Sequence, residues 1–204
     1  LSYLFYMFGK ESLTNPIKTS FVKKFIIGLK SLMHGKSFLI FVTSVVVSFA
    51  WVGMLSWYPT YIVKSKHLTQ GISGILFSII LLGGIIIKPL LGHISDKLNK
   101  VVMLIYIVGC SSISLILLTI VDSFFSLILV TMLFAQTEAF YPISTSYLTD
   151  LWQSKNTGSK LGVFRSGSIL LGSPIAAIIG WSKSRYSFDM PILIVSIGLA
   201  IATV

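Results

Sequence analysis

Glu138 is the one acidic residue placed well inside an apolar stretch of this 204-residue chain, and polar neighbours surround it. Gln136, Tyr141, Ser144, Thr145 and Tyr147 interrupt the same stretch. At helical periodicity Thr131, Glu138, Tyr141, Thr145 and Thr149 fall near one face. An ionisable group at membrane depth is costly and normally faces a cavity or a partner. Removal from water disfavours the charged form of a carboxyl, so Glu138 suits the binding and release of a proton or a polar solute. The rival readings are a structural hydrogen bond to a neighbouring helix and a contact with another part of the protein.

A second polar stripe, Ser44, Ser48, Trp51 and Tyr58, runs along an earlier apolar segment. Hydroxyls beside aromatic faces suit a small organic solute, through directed hydrogen bonds and stacking. Trp57, Tyr58 and Tyr61 lie toward one end of that segment, where an interfacial aromatic belt is expected. Trp51 lies deeper, and packing competes with ligand contact as its role. The solute- or proton-binding set is therefore Glu138, Gln136, Tyr141, Thr145, Trp51 and Ser48. Arg165, about one turn inside a later segment, reads as a snorkelling cation, with anion binding as the second reading. The lone Cys110 and the scattered His34, His67 and His93 offer no disulfide and no metal-ligand spacing, so no cofactor is expected.

The third constellation is the run Gly92-His-Ile-Ser-Asp-Lys-Leu-Asn-Lys100, read as a short basic hairpin between two apolar segments, with Asp96, Lys97 and Lys100 as its charges. Asn99 is expected to take a left-handed turn conformation there. Asp150 and Lys155, after a later segment, would join Asp96, Lys97 and Lys100 in a charge network on the same side; a scatter of surface charges is the alternative.

The elements that must position these residues are membrane helices. Hydrophobic residues make up 54% of the chain and charged ones 11%, with mean hydropathy +0.91, far from the composition of water-soluble domains. Six apolar segments are expected to span, at about 38–63, 71–91, 101–121, 123–148, 161–181 and 190–204, the last of about 15 residues being short of the roughly 20 required. Leu1–Phe8 reads as the tail of an earlier span. Residues 9–36 read as a linker whose helix, Ile17 to Met33, sets Phe21, Phe25, Leu29, Leu32 and Met33 among lysines, as interfacial amphipathic helices do. Pro59, Pro142 and the Gly172-Ser-Pro174 step are places for a kink or break.

The formal net charge is +10, from sixteen Lys+Arg against six Asp+Glu. In a soluble protein that excess suggests nucleic acid; here it lies around apolar runs, so lipid headgroups and topology account for it. If alternate connections share a side, Lys10, Lys18, Lys23, Lys24, Lys30, Lys36, Lys88, Lys97, Lys100, Lys155, Lys160 and Arg165 lie on one side. Lys64, Lys66, Lys183 and Arg185 lie on the other. The positive-inside rule puts residues 9–36 and the 92–100 loop in the cytoplasm. The plasma membrane is the expected location.

Gly92, Asp96, Lys97 and Lys100 between two spans resemble the loop signature of major facilitator superfamily transporters, with Asn99 where a second glycine is usual. Tyr147-Leu-Thr-Asp150, followed by Lys155 and Gly158, is similar to a boundary motif of sugar-porter-like members, without its proline. The resemblance implies an all-α membrane fold: a six-transmembrane-helix half of a twelve-helix transporter, preceded by a cytoplasmic amphipathic linker helix. The span tail and linker ahead of it assign this chain to the C-terminal half, whose partner is the N-terminal half of the same transporter. The implied function is secondary active transport of a small organic solute or metabolite by alternating access, with proton-coupled symport through Glu138 and a gating role for Gly92, Asp96, Lys97, Lys100 and Asp150. The alternative is a six-span membrane protein of another class, a channel or a membrane-embedded enzyme.

Overall fold

The computed structural model describes residues 21–153, 157–183 and 188–203, and every regular element among them is helical. The elements are α1 (Phe21–Leu32), α2 (Gly35–Lys64), α3 (Gln70–Lys97), α4 (Lys100–Ile120), α5 (Phe124–Ala135), a 3₁₀ turn (Gln136–Ala139), α6 (Phe140–Trp152), α7 (Thr157–Gly172), α8 (Ile175–Lys183) and α9 (Asp189–Ile201). Five stretches are long and apolar enough to cross a bilayer: α2, α3, α4, the 29-residue run Phe124–Trp152, and Thr157–Ser182. The apolar helix α9 is shorter, at 13 residues. The expected tail at Leu1–Phe8 lies outside the described residues, as does Lys155.

Helix α2 is the hub: α3, α6, α7, α8 and α9 all pack on it, while α4 packs on α9, α5 and α6. The core runs from Val47, Met54 and Tyr58 through Leu76, Ile80 and Ile107 to Phe134, Phe140 and Leu199. Outside it, Leu82, Ile85, Ile86, Leu90, Phe125, Leu129, Leu170 and Ile201 are exposed. A surface that apolar belongs in contact with lipid tails rather than water.

Glycines set the closest approaches. A Cβ on Gly83 would stand 3.0 Å from the Ala135 Cβ, so α3 and α5 meet there with no side chain between. A Cβ on Gly167 would stand 3.1 Å from the Phe41 ring and one on Gly172 would fall on Ser48, so α7 lies close against α2. Small residues at such crossings drive helix association in lipid, where the hydrophobic effect between helices is lost.

Several expectations are corrected. The 92–100 hairpin is mostly helix: α3 runs through Gly92 and Asp96 to Lys97, leaving Leu98 and Asn99 as the link. Asn99 is extended (φ −67°, ψ 120°) rather than left-handed, and its side-chain oxygen accepts from the Val101 N–H at 2.9 Å. It caps α4, satisfying one of the donors that a helix start leaves free. Tyr58 and Tyr61 form no interfacial belt; both are buried, because each hydroxyl finds a partner inside the bundle. Pro59 lies within an unbroken α2, whereas the fifth segment does break at Ser173–Pro174. On α1, Leu32 is buried and Gly28 lies against Val163, while Phe25 and Leu29 of the expected apolar face are exposed.

Candidate functional site

The candidate site lies where the helix of the fourth span is interrupted. Pro142 has no N–H, so the Glu138 carbonyl four residues earlier lacks its α-helical donor. Thr137 adds to this by donating its hydroxyl to the Phe134 carbonyl at 2.6 Å, a local bond that competes with the helix ladder. The backbone tightens into the 3₁₀ turn Gln136–Ala139. Thr137 also bonds Ser111 of α4 at 2.6 Å, which fixes the turn from one side.

From the other side the Glu138 carboxylate makes an ion pair with Lys88 of α3. Glu138 is the middle residue of the 29-residue span. Its side chain is 15% exposed and that of Lys88 42%. Gly84, one turn before Lys88, leaves the space the carboxylate occupies: a Cβ there would stand 2.8 Å from the Glu138 carboxyl carbon. Among the described residues Lys88 is the one charged side chain in contact with Glu138; Lys100 pairs with Asp150 near the end of the span, and Arg165 lies over Tyr141. The sequence reading placed Lys88 among the topology charges and left Glu138 without a partner. The signal that could have found the pair is Gly83-Gly84 one turn before a lysine inside an apolar helix.

Tyr141, one turn beyond Glu138, is held on two sides. Its hydroxyl hydrogen-bonds Ser48, and the Arg165 guanidinium lies over its ring, 3.5 Å from the centroid. Arg165 stands more than two turns inside α7 and stacks on an aromatic ring there. Trp51 stacks on Phe134 with centroids 5.9 Å apart and planes 14° apart, and Tyr58 bonds Thr131. The polar stripes of the first and fourth spans therefore meet each other at Ser48–Tyr141 and Tyr58–Thr131. Because the 3₁₀ turn shifts the helical phase, Thr131 and Glu138 reach different helices, not one common face.

The remaining expected residues divide. Gln136 is buried with its side-chain nitrogen lacking a hydrogen-bond partner, as is the Ser44 hydroxyl. Thr145 is half-buried, and its carbonyl accepts from the Thr149 hydroxyl at 2.8 Å. Of the expected charge network one bond forms among the described residues: Lys100 donates to Asp150 at 2.6 Å and to the Ser146 hydroxyl at 2.7 Å. Asp96 and Lys97 are exposed, and a Cβ on Gly92 would meet nothing within 4 Å. At the opposite end Lys66 donates to Asp122 at 2.8 Å and to the Thr119 carbonyl at 3.1 Å, and Tyr61 donates to Asp189 at 2.8 Å.

The fourth span thus carries a neutral ion pair at mid-span and, one turn on, a tyrosine bonded to a serine and stacked under an exposed arginine. In that arrangement the protonation of Glu138 and the pairing of Lys88 are linked. Residues 3–177 match the family model described as Major Facilitator Superfamily. No curated protein matches the chain.

Proposed function

From the premise that this chain belongs to the major facilitator superfamily, whose members move small solutes across membranes, we propose that it forms the C-terminal six-helix half of a proton-coupled transporter working by alternating access. The Lys88–Glu138 pair in the middle of the fourth span carries this reading. A lone charge at the bilayer centre costs about 3 kcal/mol or more, so the two residues are stable there together. Protonation of Glu138 frees Lys88, and deprotonation restores the pair. A proton taken from one side and lost to the other thereby becomes tied to the state of the site.

On this reading the N-terminal half covers the face on which Lys88 and Arg165 are open, with the solute between the halves. Gln136, Tyr141, Thr145, Trp51 and Ser48 shape and support that face. The end carrying Leu98–Asn99 is cytoplasmic, in the plasma membrane. Lys88 and Arg165 are withdrawn from the topology count by their contacts with Glu138 and Tyr141, yet the other basic residues keep the same bias. The gate at this end consists of Lys100–Asp150, which braces α4 against α6, and of Gly92, Asp96 and Lys97 at the end of α3. Asp96, exposed in this half, is available to a helix of the other half.

The test uses the intact protein in proteoliposomes loaded with a pH-sensitive dye, presented with small sugars, amino acids and organic acids. Solute-dependent proton entry is expected in the wild type and lost in Glu138→Gln. Uptake that ignores the pH gradient, or an unchanged Glu138→Gln response, would overturn proton coupling.

A further inference from the structure

Resting on that reading of Lys88 and Glu138, we propose that the solute is an organic anion whose carboxylate or phosphate oxygens bind between the Arg165 guanidinium and the Lys88 ammonium. The first support is a count of the charges in contact with the fourth span. Lys88 and Glu138 neutralise each other, which leaves Arg165 with a full positive charge. The other acidic residues among those described do not reach it. Asp122 is paired with Lys66, Asp150 with Lys100, Asp189 accepts from Tyr61, and Asp96 is exposed near the end of α3. Stacking on Tyr141 offsets part of the cost of that charge; an anionic solute would offset the rest.

Geometry is the second support. Arg165 lies over the Tyr141 ring, and a stacked guanidinium keeps its in-plane N–H donors free in the fork that matches carboxylate and phosphate oxygens. Tyr141 is a fixed platform because its hydroxyl is tied to Ser48, and Gly172 on Ser48 holds α7 close enough for the stack. Lys88, at 42% exposure, has an open side for a second acceptor, whereas Glu138 at 15% is largely covered. Glu138 and Tyr141, which the two cations contact, are three residues apart on the fourth span, about 5 Å of helical rise, which puts both contacts at one level of the bundle.

The exchange balances. A solute carboxylate that takes Lys88 as its counter-ion displaces the Glu138 carboxylate, and Glu138 then takes one proton from solution. One negative charge and one proton entering together leave the net charge of the site unchanged, so it is the second negative charge of a dianion that offsets Arg165. The pair that couples protons is in this way also the selector for an anion.

Thermal unfolding of the purified intact protein in detergent, at fixed pH and ionic strength, tests this with succinate and glucose 6-phosphate against their uncharged counterparts succinamide and glucose. At least one anion is expected to raise Tm by about 3 °C or more, with no response to the uncharged pair. Arg165→Gln should abolish the shift and Arg165→Lys should keep part of it. Lys88→Gln, judged like the others only if it retains the wild-type elution profile, is the second variant. The proposal is overturned if neither anion shifts Tm, if the uncharged compounds shift it equally, or if the anion shift survives in both Arg165→Gln and Lys88→Gln. An Arg165-dependent anion shift combined with uptake indifferent to a pH gradient sinks proton coupling and leaves the anion site standing. Gradient-driven uptake of an uncharged solute does the reverse.

Discussion

Gly84 and Glu138 share one space: the carboxylate lies where the side chain of any other residue at position 84 would begin, with its carboxyl carbon 2.8 Å from that point. Gly84→Ala should therefore push Glu138 off Lys88 and destabilise the protein by about 1–3 kcal/mol, the usual cost of overpacking. Gly74→Ala on the same helix meets nothing within 4 Å and should be neutral or slightly stabilising. Unfolding midpoints of the two variants compare them directly, and equal midpoints would contradict the close packing.

Neutralising one member of the Lys88–Glu138 pair should harm stability more than neutralising both. Lys88→Gln strands a carboxylate and Glu138→Gln strands an ammonium, whereas the double variant strands neither. A double-mutant cycle is expected to return a coupling of about 0.5–3 kcal/mol. Transport should stay lost in all three variants, which separates the pair's role in folding from its role in function.

Tyr61 links α2 to α9 through its hydroxyl, which donates to Asp189 at 2.8 Å with the Leu118 carbonyl at 3.3 Å. Its side chain is buried. Tyr61→Phe removes the donor and leaves those acceptors unpaired, so a loss of about 1–2 kcal/mol is expected in denaturant unfolding.

Asp150→Asn should cost less, about 1 kcal/mol at most, because the Asp150 side chain is 63% exposed and its pair with Lys100 is screened by solvent. A change in transport larger than the change in Tm would support the gating role proposed for that end.

Orientation can be read with cysteines placed in a Cys110→Ser background. Gln70→Cys and Leu98→Cys sit at opposite ends of α3, both exposed. A membrane-impermeant maleimide added to intact cells should label position 70 and reach position 98 only after permeabilisation. The opposite pattern would reverse the topology.

The helical segments were legible because runs of apolar residues of bilayer length admit few other structures: a backbone in lipid must satisfy its own hydrogen bonds. Glu138 was legible for the same reason, as an acid where acids are expensive. Its partner was not. Lys88 looked like a charge near the end of a span, and only the approach of α3 at Gly83 and Gly84 turns it inward. The common face expected for Thr131 through Thr149 assumed one continuous α-helix. The proline effect that breaks it acts four residues upstream of Pro142, at the site itself.

Composition and periodicity alone therefore determined that this chain is a bundle of membrane helices and singled out the polar fourth span as its candidate site. Those features depend on each residue's transfer energy and position along one helix, which a sequence states directly. Tertiary structure decided which groups meet: Glu138 with Lys88, Tyr141 with Ser48 and Arg165, Lys100 with Asp150. Pairings between helices depend on rotation about each axis and on how closely the axes approach. Both are set by small residues such as Gly84 and Gly172, whose meaning appears only when the facing helix is in place.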